Sequence, residues 1–211
     1  MAYDLEEQES LAEIKAWWDK WGTLILSVVT AASLAVAGFQ GWRWYQAKES
    51  ADAGTLYAQM VQAENMKDSD RVQKIGDRLH EDYASTTYAG LGALLAARSA
   101  EAEGKSEVAE KALARIVDSD KFPELQGVAA VRLAGVLLDQ GKYDAALAAL
   151  AKVKDTTGQE GIINDRRGDI ELAMNKPEEA RKAWEAALRS LDAGNPLARL
   201  IEIKLAALPN A

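Results

Sequence analysis

From Trp21 to Trp42 the chain has 22 residues without a charge, and no polar residue recurs there often enough to make an exposed face. As a helix this run is about 33 Å long, the thickness of a bilayer's hydrocarbon core. Beyond it the pattern changes. Residues 51–208 place apolar residues at helical spacing among Ala, Leu, Glu and Lys, with no convincing strand. Breaks fall near Lys67-Asp68-Ser69, Ser85-Thr86, Gly104-Lys105, Phe122-Pro123, Gly141-Lys142, Thr157-Gly158, Lys176-Pro177 and Asn195-Pro196. The pieces between them are mostly one short helix long, so the pattern predicts a run of helical hairpins.

The hairpins repeat. Arg132-Leu133-Ala134 and Arg166-Arg167-Gly168 open matching segments, and Ala134 to Gly168 and Ala146 to Ala180 are each 34 residues apart. That is the tetratricopeptide period. Small residues at Ala134 and Gly168 permit close packing of the first helix on the second. Ala146 and Ala180 are small on the second helix, and Leu150 and Trp184 are bulky four residues later. Gly141 and Asn175 stand where the turn needs a left-handed backbone. A weaker copy lies upstream at Ala96-Ala97, Gly104-Lys105, Ala109 and Leu113, offset by 37 residues, with the three extra residues expected around Phe122-Pro123. Residues 51–66 and 69–82 form a further pair without the small-residue signature, a degenerate repeat or an N-terminal cap. Residues 196–208, opened by Asn195-Pro196, are expected to close the apolar end of the stack.

The flanks decide between fates for the uncharged run. Trp17, Trp18 and Trp21 precede or open it, and Trp42, Trp44 and Tyr45 end or follow it, as in the aromatic belts at membrane interfaces. A buried core helix has no need of them. Ala35-Val36-Ala37 before Gly38 resembles a signal-peptidase site, but the preceding segment carries six acids and two lysines, where a secretory signal begins positive. The division expected is a short acidic segment 1–20, a transmembrane helix 21–45 and a repeat domain 46–211. Lys15 and Lys20 on one side and Arg43 and Lys48 on the other leave the orientation open by charge. Ser33, Ala37 and Gly41 share one face of the span and form a candidate helix-packing surface.

Charge and chemistry narrow the function. The net charge is −8, and no dense basic block would track a phosphate backbone, so nucleic acid is not an expected partner. There is no cysteine and one histidine, His80. Catalytic residues, metal ligands and cofactors are therefore not expected. Asp165-Arg166-Arg167-Gly168-Asp169 reads first as a salt-bridged solvated face, with partner contact as a second role. Arg115 is placed on an outer face.

An acidic start, one span ending in Gly41-Trp42-Arg43-Trp44-Tyr45 and these repeats together resemble the ancillary SecYEG translocon subunit family (YfgM-like). Thr87-Tyr88-Ala89, Arg132-Leu133-Ala134, Asp165-Arg166-Arg167-Gly168-Asp169 and Ala180-Arg181-Lys182-Ala183-Trp184-Glu185-Ala186 fit its pattern. The resemblance implies an all-α, non-enzymatic protein of the bacterial inner membrane, with a cytoplasmic N-terminus and a tetratricopeptide-like periplasmic domain. It implies partners too: the SecYEG translocon, the membrane-anchored periplasmic chaperone PpiD, translocated client proteins and membrane lipid. Without the resemblance, the same architecture equally suits an adaptor for cell-wall synthesis or outer-membrane assembly.

Overall fold

The computed structural model describes residues 2–192 and 194–208, with side chains from Glu9 onward. Among the described residues the order is α1 (Ala2–Asn65), α2 (Ser69–Asp82), α3 (Thr87–Ala102), α4 (Ser106–Val117), α5 (Pro123–Asp139), α6 (Tyr143–Ala151), α7 (Glu160–Ala173), α8 (Pro177–Arg189) and α9 (Pro196–Ala206). The chain forms two compact units, Met1–Glu49 and Ser50–Ala211.

In the first unit, α1 carries the uncharged run. Leu24, Leu34, Phe39 and Trp42 are 56%, 68%, 62% and 59% exposed. Apolar side chains left uncovered in this way belong to a helix whose solvent is lipid. The helix does not stop at the expected end of the span. Strong helix formers, from Gln46 through Ala51, follow Tyr45, with no proline before Asn65.

In the second unit, α1 contributes Ala53, Leu56, Met60 and Ala63 to the core, and its last turns form a hairpin with α2. All four hairpins turn the same way. The residue after the first helix is left-handed: Lys67 (φ 57°), Gly104 (71°), Gly141 (72°) and Asn175 (61°). The next N–H reaches back to the last helical turn, as Asp68 to Ala63, Lys105 to Ala100, Lys142 to Leu137 and Lys176 to Glu171, at 2.8–2.9 Å. The left-handed residue's own N–H bonds three residues back, closing a Schellman turn. The 51–82 pair therefore shares the turn of the other hairpins although it lacks their small-residue signature. The extra residues near Phe122-Pro123 are absorbed as helix. Helix α5 has 17 residues against 14 in α7, and Pro123 takes its first helical position.

Ala134, Ala146 and Ala180 are fully buried, Leu150 and Trp184 nearly so, and Gly168 is buried. Trp184 lies directly on Gly168, where any Cβ would run into the indole ring. Its Nε1–H donates to the Asp165 carbonyl at 3.2 Å. Trp184 also belongs to a second, smaller core with Ala180, Ala187, Ile201 and Leu208, which joins α8 to α9. Helix α9 is thus held as the closing element.

The acidic run on α7 holds the same helix. Lys204 of α9 donates to Asp165 Oδ1 and Asp169 Oδ1, 2.7 Å each, and its Nζ lies 5.6 Å from the centre of the Trp184 ring. The Asp165 and Asp169 side chains are only 14% and 23% exposed. This segment is therefore a half-buried clamp, not a solvated face. Burial holds the Asp165 carboxyl above the usual range, against the opposing pull of Lys204.

The second helices carry a ladder of ion pairs between successive hairpins. Asp70 meets Lys105, Asp77 meets Arg115 at 2.9 Å, Glu110 meets Lys142, Asp118 meets Lys152 and Asp120 meets Lys154. In every rung the acid comes from the earlier hairpin. Arg115, placed on an outer face by its sequence position, is instead one of these rungs and one-third exposed.

Two sets of stability predictions follow from this packing. Ala146→Arg and Gly168→Arg should each cost the repeat domain about 3 kcal/mol or more, because a long cation replaces a close helix contact. Arg115→Ala removes one partly exposed rung and should cost at most about 1 kcal/mol. Thermal melts of residues 46–211 test both; arginine variants that melt like the parent would refute the register. Lys204→Ala leaves two half-buried carboxylates without their cation. Asp165 is already biased toward protonation in the fold, so its ionisation opposes stability as pH rises through its raised folded pKa. Losing Lys204 enlarges that bias. The deficit of Lys204→Ala should therefore be larger at pH 7 than at pH 5 when melts at the two values are compared.

Candidate interaction surface

Two polar clefts along the stacked hairpins differ in how their charges are satisfied. The first lies along the second helices, where Asp70, Asp77, Lys105, Glu110, Arg115 and Lys142 line a cleft between α2 and α4. Each of these belongs to a rung of the ladder. A ligand here would have to break existing pairs.

The second lies along the first helices of the hairpins. Glu101 of α3, Arg132, Gly135 and Asp139 of α5 and Arg166 of α7 line one cleft, with Ser106 at its edge. The Arg166 guanidinium covers Gly135, 3.5 Å from where a Cβ would stand. Arg166 reaches only Asp169, at 3.7 Å, and its Nε is buried without a hydrogen-bond acceptor. Glu101, Arg132 and Asp139 make no ion pair within 4.0 Å among the described residues. Burial pushes the Glu101 carboxyl up; Arg132 opposes this and Asp139 adds to it. Charges of both signs are thus gathered and left unneutralised.

This surface was not legible as a site. Helical periodicity assigns Arg132 and Asp139 to the outside of one helix, but their meeting with Glu101 and Arg166 depends on the stacking of three hairpins. Ala134, Ala146, Leu150, Gly168, Ala180 and Trp184 lie in the packed interior behind it. Ser33, Ala37 and Gly41 are separate from it, exposed along α1, and a Cβ on Gly41 would meet nothing within 4 Å. His80 is exposed on α2. Among the described residues no group of three or more His, Asp or Glu is placed to hold a metal ion.

Comparison with known proteins adds the family. The profile of a tetratricopeptide repeat-like domain matches residues 15–210. An ancillary SecYEG translocon subunit of Neisseria gonorrhoeae is 30% identical over 99% of this chain and 100% of its own length. The protein of that name from Aggregatibacter actinomycetemcomitans is 30% identical over 97% of this chain and 98% of its own. The one from Escherichia coli is 25% identical over 94% and 95%. The α1 span near the N-terminus and the domain that follows match these relatives' placement, with a single pass through the inner membrane and the repeats in the periplasm. By its repeats and by similarity over nearly its full length, the chain belongs to the family of ancillary SecYEG translocon subunits.

Proposed function

We propose that this protein is an accessory subunit of the SecYEG translocon that holds a helical-repeat domain at the periplasmic exit. There the domain hands emerging chains to periplasmic chaperones, among them a membrane-anchored chaperone of the PpiD kind. The observation that carries this reading is the pairing of one membrane span with a repeat domain whose Glu101, Arg132 and Asp139 gather in one cleft and make no ion pair among the described residues. The names of the relatives supply the translocon.

The physics of the arrangement favours weak, exchangeable contacts. A span confines the repeat domain to the membrane plane and raises its effective concentration near any partner in the same membrane. Affinity need not come from a large buried area. The cleft of Glu101, Arg132, Asp139 and Arg166 suits a polypeptide partner that presents charges of both signs, since Glu101, Arg132 and Asp139 make no ion pair among the described residues. Contact with the translocon inside the bilayer is assigned to the face of Ser33, Ala37 and Gly41, where small side chains allow a second helix close approach. The lipid contacts fall to the aromatic flanks.

Three outcomes are expected. Residues 46–211 alone should fold as a soluble helical domain, lose most translocon crosslinks and retain binding to the periplasmic chaperone. Exchanging the span for a polyleucine helix should reduce translocon crosslinks and spare chaperone crosslinks; unchanged translocon crosslinking would mean that the repeat domain makes both contacts. Arg132→Glu should weaken chaperone binding about tenfold by setting a third acid beside Glu101 and Asp139. Its melting temperature should stay near the parent's, and equal binding by parent and variant would remove this cleft from the interface.

A further inference from the structure

Helix α9 has two faces. One packs into the smaller core through Ile201, joined there by Leu208 just past the helix, and into the clamp through Lys204. The other presents Asn195, Arg199, Glu202 and Ala206, spaced four, three and four residues apart, which is one stripe on a helix. Pro196 and Ile203 border it, and the six residues wall a single open cleft. Ile203 is 60% exposed. Arg199 and Glu202 are exposed and make no ion pair within 4.0 Å among the described residues, not even with one another.

The stripe does not suit a further hairpin of the same stack. Glu202 stands 34 residues after Gly168, at the register position where Ala134 and Gly168 admit a second helix. A glutamate there keeps such a helix away. What the stripe does match is itself reversed. We propose that α9 pairs antiparallel with α9 of a second copy about a two-fold axis perpendicular to both helices. In that arrangement Arg199 faces the second copy's Glu202, Asn195 faces its Ala206 and Ala198 faces its Ile203, each pair occurring twice. A parallel pairing sets like charges together. The antiparallel one satisfies both free charges with no third component, as an isologous interface requires.

The contact is small. An 11-residue helix buries far less than the 1,200 Å² or so at which stable interfaces begin. In solution it is weak. In the membrane, the span confines both copies to two dimensions and compensates through effective concentration.

The test uses the full-length protein in native membranes. The chain has no cysteine, so Ala198→Cys puts a single thiol at the edge of the stripe. A short bis-maleimide should join two copies through it several-fold more than through a control Lys154→Cys, whose side chain is 71% exposed on the link between α6 and α7. In the Ala198→Cys background, Arg199→Glu and Glu202→Arg should each cut the dimeric adduct about tenfold by facing like charges. Combined, they should restore it, because the exchanged charges face each other again. Both positions are exposed, and unchanged melting of each variant verifies the fold. Dimer yield no greater than the control overturns the proposal. So do single charge reversals without effect, a double variant that fails to recover, and adducts formed with another protein in place of a second copy.

Discussion

Within each hairpin the backbone reverses between the two helices over three residues, and the left-handed residue at Lys67, Gly104, Gly141 and Asn175 makes that reversal every time. The reversal frees carbonyls that the returning N–H groups immediately bond. The same angle of exit, repeated four times, brings each second helix onto the same face of each first helix. Much of the repeat domain is built on that recurrence: a main core rich in small side chains, a ladder of ion pairs with constant polarity, and a surface of first helices on which distant charges meet. Gly pays least for this conformation. Asn175 and Lys67 hold it at a cost that the two turn hydrogen bonds and the packed helices offset.

Where two helices approach most closely, the side chains must vanish. At α7 and α8 the indole of Trp184 occupies the space a Cβ on Gly168 would need, and its N–H finds the Asp165 carbonyl. The large ring thus satisfies its one polar atom while filling the end of the core. Lys204 then lies over the same ring and between two carboxylates. Packing, a hydrogen bond and a charge cluster meet around one tryptophan, so the last hairpin and the closing helix behave as a unit with its own core. The hairpins from α1 to α6 in the main core do not share that dependence; their junctions are carried by alanine contacts and the exposed ladder, each rung of which contributes little alone.

The two surfaces of the domain follow from this economy. The ladder charges on and beside the second helices are consumed between hairpins and stabilise the stack. Charges on the first helices, at Glu101, Arg132 and Asp139, are not consumed and remain for a partner. A membrane span makes such a surface useful at low intrinsic affinity, since the partner meets it at a concentration set by confinement.

Hydrophobic spacing and the turn residues by themselves determined the span, the all-α repeat domain and the hairpin turns, because each depends on local periodicity or on a residue type with one conformational use. Gly141 announces a left-handed turn, and Trp184 opposite a glycine one period after Leu150 and Ala134 announces a core. Two groups of features waited for the tertiary structure. The conversion of Asp165 and Asp169 from a surface run to a clamp depends on Lys204, thirty-five or more residues away and brought near only by the docking of α9. The ladder that takes up Arg115, and the cleft that gathers Arg132 with Glu101 and Arg166, depend on the stagger between hairpins. Periodicity tells which side of a helix a charge occupies. Only the stacking angle tells which other charge it meets there.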